Sequence, residues 1–442
     1  MNETDQEAIG LAMHARLTLL YPICRSITGN GVRQTLANIK STIPLEIHEV
    51  PSGTQVFDWT VPNEWNIRDA WIQNTAGQRV VDFKETNLHV VSYSTPIHAT
   101  MPLSELRAHL HSLPDRPDAI PNLTSYYKED WGFCLSHNVL TALTDGDYEV
   151  YIDSTLAPGS LTYGEFFLPG ELSDEVLISV HVCHPSLAND NLSGIVVAAE
   201  LAAELAARTH RRYSYRFLFI PATIGAITWL ARNEAGTDRI KHGLVLSGIG
   251  DAGAITYKRS RQATAAIDRV VEFVLASSGV PHSIQDFSPY GYDERQFCSP
   301  GFNLPVGRFS RTPYGTYPQY HTSGDNPGFV KPESLAGSLR ILLKIMTVLE
   351  GDRLYINTNP KCEPQLGNRG LYNELSNNGE TMAMLWVLNL SDGKNTLLDI
   401  AERATIPFER ILSVATILES NGLLASCGDC NDKPDQHFRR NS

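Results

Sequence analysis

The chain has 442 residues, of which 42% are hydrophobic and 19% are charged, and its formal net charge is −13 at pH 7. This length accommodates two or three domains with large cores. The acidic balance argues against a surface for nucleic acids or anionic membranes, because both partners require a basic face.

Two observations predict a cytoplasmic protein without a membrane partner. The segment MNETDQEAIG lacks the basic and apolar parts of a signal peptide, and no apolar run is long enough to span a bilayer. The seven cysteines are scattered and odd in number, which favours reduced thiols over a disulfide framework.

The first part of the chain combines helices with short strands. Residues from about Asp5 to Ile43 predict two helices separated by the turn sequence SITGNG. Between residues 51 and 121, apolar and polar residues alternate over short segments, which is typical of β-strands. We interpret residues 51–121 as a small β-rich module inserted into a main domain that comprises residues 1–50 and 122–358.

The main domain alternates strands with helices from Tyr148 onward. Strands are predicted at YEVYIDSTL, SLTYGEFFLPG, EVLISVHV, RFLFIPA, HGLVLSGIG and NLPVGRFS. Helices separate the later strands, and PESLAGSLRILLKIMTVLEG predicts a long closing helix. Strands that alternate with helices indicate an α/β fold with a mainly parallel sheet, flanked by helices on both faces.

The composition changes again after the closing helix. The segments GETMAMLWVLNL, TLLDIAERA and PFERILSVATILESNGLL predict three helices, typical of a winged helix-turn-helix domain over residues 359–426. The third helix has one basic residue, Arg410, beside Glu409 and Glu419. Because DNA binding requires Lys or Arg at the phosphates, we expect a structural or protein-contact role and no nucleic-acid partner. Residues 427–442 are predicted to form a flexible tail.

The sequence EVLISVHVCHPSLANDNLSG, residues 175–194, contains the strongest candidate site. An apolar strand ends in His181 and His184, a polar turn supplies Asp190, and a helix of small residues follows. Open α/β sheets bind ligands at this position, beyond the carboxyl ends of their strands. His321, in a loop before the closing helix, is the best candidate for a third ligand. Imidazole and carboxylate are common transition-metal ligands, so we predict a metal centre.

These motifs resemble the zinc aminopeptidases of the M28 type, and more closely the DUF4910 group of M28-like proteins. The resemblance rests on LYPICRSITGNGVRQTL, TSYYKEDWGFCLS, HVCHPSLANDNLSG, YKRSR, YDERQFCSPGFNLPVGRFSRTPYG and YHTSGDN, and it covers nearly the whole chain. It implies an M28-type sheet with an inserted DUF2172-like module and a C-terminal winged helix. It also implies that Asp190 is the bridging ligand, His321 the last ligand and His181 the first, with His184 as the alternative to His181.

The chain departs from the M28 aminopeptidases at two carboxylate positions. Where those enzymes have a Glu-Glu pair, this chain has Ala222. Where they have a further ligand Asp, this chain has small residues near Ser247. Cys183 stands where they have the Asp that orients the first ligand His. We therefore expect a single divalent ion, zinc with iron as the alternative, and a proton carrier other than the usual Glu.

Further residues are predicted to complete the site. Asp293 and Glu294, in GYDERQF, match a pocket-lining segment of the peptidases, and Glu294 is the candidate general base. Four residues in and after this segment are candidates for substrate binding: Arg295, Arg311, Tyr314 and Tyr317. The basic run YKRSR, residues 257–261, is a second candidate for binding an acidic substrate group.

Together these features predict an aminopeptidase-like metallohydrolase that cleaves an amide bond in a peptide or an amino-acid conjugate. The first alternative is a specialised biosynthetic metalloenzyme that performs a different reaction on an amino-acid or sugar conjugate. Iron is the alternative ion for such an enzyme. The second alternative is a non-catalytic peptidase-like scaffold. The sequence leaves open the identity of the substrate and whether the chain forms a homo-oligomer.

Overall fold

The computed structural model describes residues 3–371 and 378–427. The chain divides into two units, Met1–Glu272 with Gly279–Leu342 and Phe273–Ser278 with Leu343–Ser442. Among the described helices, none combines the length and the apolar character that a membrane crossing requires.

The helices and strands are labelled in chain order. The helices are α1 Glu3–Leu20, α2 Asn30–Lys40, α3 Leu103–Leu106, α4 His137–Ala142, α5 Gly194–Ala206, α6 Ile224–Asn233, α7 Ala266–Ser277, α8 Glu294–Phe297, α9 Pro332–Gly351, α10 Asn378–Leu390, α11 Leu397–Ala404 and α12 Phe408–Ser420. Shorter helical turns lie at Asn87–His89, Arg107–His109, Ala188–Ser193, Glu234–Arg239 and Gly367–Arg369. The strands are β1 Glu46–Pro51, β2 Gln55–Val56, β3 Trp59–Thr60, β4 Glu64–Asn74, β5 Arg79–Asp82, β6 Ile97–Pro102, β7 Leu110–His111, β8 Phe133–Cys134, β9 Asp147–Ala157, β10 Ser160–Leu168, β11 Glu175–His181, β12 Ser214–Ile220, β13 Ile240–Leu246, β14 Ile255–Lys258, β15 His282–Gln285, β16 Val306–Ser310, β17 Leu354–Asn357, β18 Asp392–Thr396 and β19 Leu424–Ser426.

Eight strands of the first unit form one mixed sheet, in the order β1-β10-β12-β11-β13-β16-β14-β15. In its centre β11 pairs in parallel with β12 and β13, and β13 pairs in parallel with β16. Antiparallel pairs lie nearer the edges, between β1 and β10, between β10 and β12, and between β14 and β16. The edge strand β15 pairs in parallel with β14. The predicted α/β class is confirmed, with a parallel centre in a mixed sheet.

The strand β11 lies in the middle of this sheet because its sequence can be buried on both faces. All seven of its residues are buried, as a near-continuous apolar strand in a parallel sheet requires. The helix α5 follows closely, and nine of its 13 residues are buried. The strand and the helix therefore fix both ends of the intervening turn, which carries Asp190.

A separate antiparallel sheet has the strand order β5-β4-β9-β6. Its longest pairing joins β4 to β9 and begins with Glu64 opposite Ala157. The prediction that residues 148–156 form a strand of the main domain is therefore wrong, and the small sheet extends beyond residue 121. The alternating burial of β9 is typical of a strand with one covered face, but this pattern does not specify which strands it pairs with.

In the second unit, β17 pairs with β18 and β19 in a three-stranded antiparallel sheet. The helices α10, α11 and α12 coincide with the three predicted segments, which confirms the winged helix-turn-helix. A capping box between Thr396 and Asp399 fixes the start of α11, because each side chain accepts a backbone N–H that the helix leaves unpaired. Of the predicted tail, residues 428–442 lie outside the described residues.

Candidate metal centre

The candidate site lies at the carboxyl end of β11. His181 is the last residue of this strand and is paired with Ile220 of β12. The turn that follows departs from helical geometry at Asp190 (φ −109°, ψ 85°) and Asn191 (φ −138°, ψ 32°). This departure turns the chain so that Asp190 contacts His181, although the two residues are nine positions apart in the sequence.

Asp190 lies at the centre of the predicted ligand set. It is fully buried, with Oδ1 2.8 Å from His181 Nε2 and Oδ2 3.0 Å from His321 Nε2. Ligand atoms of His181, His184 and Asp190 all lie within 4.8 Å of one another, and the rings of His184 and His321 are 5.1 Å apart. Burial opposes ionisation of Asp190, but the electrostatic interaction with His184 and the hydrogen bonds with His181 and His321 outweigh it and hold the pKa of Asp190 well below its usual range. The structure thus brings the four predicted ligands together around an ionised carboxylate.

Both ring nitrogens of His181 have partners. The Asn191 amide donates from Nδ2 to the carbonyl of Leu246 at 2.9 Å and accepts at Oδ1 from the backbone N–H of Gly248 at 3.2 Å. These backbone groups fix the orientation of the amide, so its Nδ2 faces His181 Nδ1 at 3.3 Å. An amide nitrogen donates only, so His181 Nδ1 accepts and the ring proton lies on Nε2, which faces Asp190.

His184 differs from His181 in having an unused nitrogen. Its Nδ1 is buried and has no hydrogen-bond partner. Burial lowers the pKa of His184 to about 3, which keeps the imidazole neutral near pH 7. A neutral imidazole with a free nitrogen is the form that binds a metal ion.

Arg25, on the segment between α1 and α2, holds the His184 turn in place. It is 1% exposed and donates to the carbonyl oxygens of His184, Pro185 and Leu20 at 2.7, 2.8 and 2.7 Å. Sequence reasoning did not identify Arg25, because the local pattern of CRSITG does not distinguish a buried arginine from an exposed one.

The loop that carries His321 is held by the chain segment between β7 and β8. His321 has a φ angle of 53°, a left-handed conformation that is uncommon outside glycine. Its carbonyl accepts the backbone N–H of Asn122 at 2.9 Å, and the N–H of Ser323 donates to the carbonyl of Ile120 at 2.8 Å. Asp325, in the same loop, accepts the backbone N–H of Asp190, so the loop also supports the central carboxylate.

Similarity to known proteins shows the family of this chain. Residues 14–352 match a family described as a domain of unknown function, DUF4910. The chain belongs to the DUF4910 family. Residues 353–426 match a winged helix-turn-helix family, which confirms the second part of the resemblance, whereas the DUF2172-like character of the β-rich module stays a prediction.

Relatives of this DUF4910 protein carry related descriptions. A Clostridium acetobutylicum protein, provisionally named a polysaccharide biosynthesis protein with an aminopeptidase-like domain, is 54% identical over 403 residues, 90% of this chain and 92% of that protein. A crystal structure from C. acetobutylicum, provisionally described as a peptidase, is 52% identical with a TM-score of 0.92, covering 96% of this chain and 98% of that one. A Bacillus subtilis zinc aminopeptidase is 11% identical with a TM-score of 0.57, covering 78% and 94% of the two chains. The last similarity shows that the first unit has the zinc-aminopeptidase fold.

The positions without carboxylates in this DUF4910 protein are occupied by small uncharged residues. Cys183 Sγ accepts a hydrogen bond from the backbone N–H of Ala222 at 3.2 Å. Burial raises the pKa of Cys183 to about 12, so Cys183 remains a thiol. Ser247 is buried and interacts with the side chain of Tyr292. Among the described residues, the cluster of His181, His184 and Asp190 contains one carboxylate.

Asp293 and Glu294 occupy different environments although they are adjacent. Glu294 is fully buried, and its Oε1 forms an ion pair with Lys258 Nζ at 2.9 Å. Asp293 is 1% exposed, and neither of its carboxylate oxygens has a hydrogen-bond partner. Burial, and then the charge of Glu294, raise the pKa of Asp293 well above its usual range. Asp293 also acts electrostatically on Cys183.

Three tyrosines form an aromatic wall over the imidazoles. Tyr292 stacks on His181 with ring centroids 5.0 Å apart and an angle of 17°. Tyr320 stacks on His321 at 4.1 Å and 15°. Tyr314 lies 5.5 Å from Tyr292 and 6.3 Å from Tyr320. The predicted position of Tyr314 in a pocket wall fits this arrangement, whereas Tyr292 and Tyr320 were not predicted as site residues.

The other predicted substrate-binding residues have different surroundings. The Arg311 guanidinium donates to the carbonyl oxygens of Gly253 and Ser334 and to Ser338 Oγ, at 2.7, 3.1 and 3.1 Å. Because these contacts hold Arg311 within the protein, they do not support a role in substrate binding. Tyr317 is 9% exposed and stacks on Phe329. Arg295 has its Cζ 5.9 Å from the ring of Tyr290.

Proposed function

We propose that the chain is a metal-dependent hydrolase that cleaves an amide bond in a peptide or an amino-acid conjugate, with a single divalent ion. The observation that carries this proposal is the buried Asp190, each of whose oxygens lies within 3.0 Å of an imidazole nitrogen. Zinc is the proposed ion and iron is the alternative, because nitrogen and oxygen ligands suit both.

The donor set fits such an ion. Asp190 is ionised, and His184 presents an unpartnered, buried Nδ1, a polar atom whose burial is costly unless it is paired. We assign His184, Asp190 and His321 as the ligands. His181 then donates its Nε2 proton to Asp190 and orients it, because the Asn191 amide donates to Nδ1 and thereby keeps the ring proton on Nε2. Among the described residues, no such amide contact fixes the proton of His321.

A bound divalent ion would polarise the scissile carbonyl and lower the pKa of water towards 7. The chain itself must move the proton and hold the substrate. We propose Asp293, rather than the ion-paired Glu294, as the residue that exchanges a proton with the reacting groups. Asp293 is buried and its pKa is raised, and since no ion pair among the described residues engages its carboxyl group, this group is available for proton transfer. The wall of Tyr292, Tyr314 and Tyr320 would cover the substrate and exclude water.

A second candidate function keeps the ion and changes the reaction. Ala222 and Ser247 lack the carboxylates of the two-metal peptidases, and the C. acetobutylicum relative is provisionally named a polysaccharide biosynthesis protein. Both observations favour a specialised biosynthetic metalloenzyme that acts on an amino-acid or sugar conjugate. A non-catalytic scaffold is the third possibility.

We propose a cytoplasmic location, a winged helix that binds no nucleic acid, and a homo-oligomer as a possible assembly.

The test combines metal analysis with a turnover screen on the purified full chain. Inductively coupled plasma measurements should find about one zinc or iron per wild-type chain, none in His184→Ala and His321→Ala, and a retained ion in His181→Gln. The exposed His98→Gln is the matched control and should keep its ion. Two tightly bound ions per chain would contradict the single-ion proposal, and loss of the ion in His181→Gln alone would reverse the ligand assignment.

The same samples are screened with aminoacyl-p-nitroanilides and dipeptides. Turnover that is lost in Asp293→Asn, with the metal content unchanged, supports the amide hydrolase. Metal without turnover favours the biosynthetic enzyme, and the absence of both favours the scaffold. Glu294→Gln distinguishes the two carboxylates, because we expect it to lower stability through the unpaired Lys258 rather than to abolish turnover.

A further inference from the structure

Arg308, in β16, has a buried guanidinium that the protein does not satisfy. It is 1% exposed, and its Nη2 donates to Gln285 Oε1 at 3.3 Å. Its Nε and Nη1 have no hydrogen-bond partner, and in the described parts of the chain no carboxylate forms an ion pair with it. Burying a charged donor without an acceptor is costly, and such groups are rare in folded proteins. The missing acceptors must therefore come from water or a ligand.

Three other arginines of the first unit that are buried or half-buried have protein partners at every guanidinium nitrogen. Arg25 donates to three backbone carbonyl oxygens, and Arg311 donates to two carbonyl oxygens and a hydroxyl. Arg216 forms ion pairs with Glu165 and Glu175. Arg308 differs from these three because two of its nitrogens have no partner among the described residues.

The acidic groups near Arg308 are already engaged or face elsewhere. Lys258 is directly opposite Arg308 across the β14–β16 pairing. The Nζ of Lys258 forms an ion pair with Glu294 Oε1 at 2.9 Å. The next residue, Arg259, pairs with Glu272 and Asp286. Within the basic run predicted to bind an acidic substrate, Lys258 and Arg259 therefore already have carboxylate partners, and the exposed Arg261 donates to Asn303. Among the described residues, the neighbouring Arg308 has no carboxylate partner.

The guanidinium lies next to the aromatic wall of the metal centre. Its Cζ is 5.1 Å from the centroid of the Tyr314 ring. Tyr314 in turn contacts Tyr292 and Tyr320, and these two rings stack on His181 and His321. A substrate that is covered by the tyrosines could therefore place one end at the imidazoles and the other end at the guanidinium.

We propose that Arg308 binds an oxyanion of the substrate, a carboxylate or a phosphate group, on the far side of Tyr314 from the metal centre. The substrate class is then an anionic amide or conjugate. This inference rests on the proposed function for the identity of the ligand as the substrate. Arginine suits the role because its planar, permanently charged fork of donors matches the geometry of carboxylate and phosphate oxygens.

The test measures the binding of inorganic phosphate and of glutarate to the purified full chain by isothermal titration calorimetry. Wild-type protein should bind at least one of the two anions, and Arg308→Met should weaken this binding about tenfold or more, because a charge-assisted contact is lost. Arg308→Lys should have an intermediate affinity, and Arg259→Gln, whose guanidinium is already paired, should bind like the wild type. Preference for phosphate or for glutarate identifies the kind of oxyanion.

Two results would overturn the proposal: equal anion affinity in Arg308→Met and wild type, or no anion binding in the wild type. Thermal unfolding checks for a structural role. Arg308→Met should unfold at the same temperature as wild type or higher, because it removes an unpaired buried charge. A much lower unfolding temperature in both Arg308 variants would make the residue structural.

Metal content is measured in the same samples. Anion binding that depends on Arg308 in a chain without metal would leave the anion site standing and reject the hydrolase.

Discussion

Asp325 holds the backbone of the central ligand Asp190. Its two carboxylate oxygens accept the backbone N–H groups of Asn189 and Asp190 at 2.6 and 2.9 Å, and it is fully buried. Burial raises the pKa of Asp325 to about 7, because the backbone hydrogen bonds that favour its ionised form offset the cost of burying the charge only in part. The position of the Asp190 carboxylate therefore depends on a residue 135 positions away in the chain.

Replacing Asp325 should weaken metal binding without removing a ligand. In Asp325→Ala the Asp190 turn loses both hydrogen bonds, and we expect zinc affinity to fall by about 10- to 100-fold, as for other residues that orient ligands. Competition with a chromophoric chelator measures the affinity. The exposed Asp286→Ala is the control. Unchanged zinc affinity in Asp325→Ala would show that the turn holds its shape without this carboxylate.

Arg25 should contribute to stability more than any exposed arginine. Arg25→Met leaves the carbonyl oxygens of Leu20, His184 and Pro185 without their donor, and we expect the free energy of unfolding to fall by roughly 3 kcal/mol. Urea denaturation measures the change. Arg68→Met, at a mostly exposed position, should change it by less than about 1 kcal/mol. Equal effects of the two substitutions would contradict the assigned role.

Gly194, the first residue of α5, leaves room for the amide that orients His181. A Cβ atom at this position would lie 2.5 Å from Oδ1 and 2.6 Å from Nδ2 of Asn191, closer than any stable contact. Gly194→Ala should therefore lower the free energy of unfolding by about 2 kcal/mol through overpacking. Thermal unfolding measures the loss. Gly301→Ala, where a Cβ meets no atom within 4 Å, should leave the unfolding temperature nearly unchanged.

The Arg33–Glu64 ion pair should make stability depend on pH in the acidic range. Arg33 donates to both oxygens of Glu64 at 2.7 Å, and this hydrogen bonding lowers the pKa of Glu64 from 4.5 to about 2. The folded state therefore binds the proton less tightly than the unfolded state. The stabilisation is present above pH 4.5 and is lost as the pH falls towards 2.

Glu64→Gln should accordingly cost roughly 2 kcal/mol of unfolding free energy at pH 7. The difference from wild type should shrink between pH 4.5 and pH 2. Urea denaturation at a series of pH values measures it, and Glu105→Gln, at an exposed helix position, is the control. A difference that stays constant down to pH 3 would rule out the ion pair as its source.

The winged helix should not bind DNA with measurable affinity at physiological salt. The exposed residues of α12 include Arg410 but also Glu409 and Glu419, so few counterions would be released on binding. Fluorescence anisotropy with a labelled 30-base-pair duplex tests this at 50 and 200 mM salt. Binding that weakens steeply between the two salt concentrations would contradict the expectation.

The sequence alone determined the local elements and the ligand types. The apolar run of β11, the polar turn at Asp190 and the small-residue helix α5 follow from short-range patterns, and so do the three helices of the winged helix. A burial pattern needs only neighbouring residues to specify a strand or a helix. His181, His184, Asp190 and His321 could therefore be proposed together as ligands before the structure showed that they are in contact.

Only the tertiary structure decided which of these residues have free atoms and which are already paired. Arg308 and Arg311 lie three positions apart, yet Arg311 contacts two carbonyl oxygens and a hydroxyl whereas the Nε and Nη1 of Arg308 have no partner. Asp293 and Glu294 are adjacent, yet only Glu294 has a lysine within reach. Each outcome depends on residues far away in the chain that the fold places alongside, and a local sequence pattern contains no information about those neighbours.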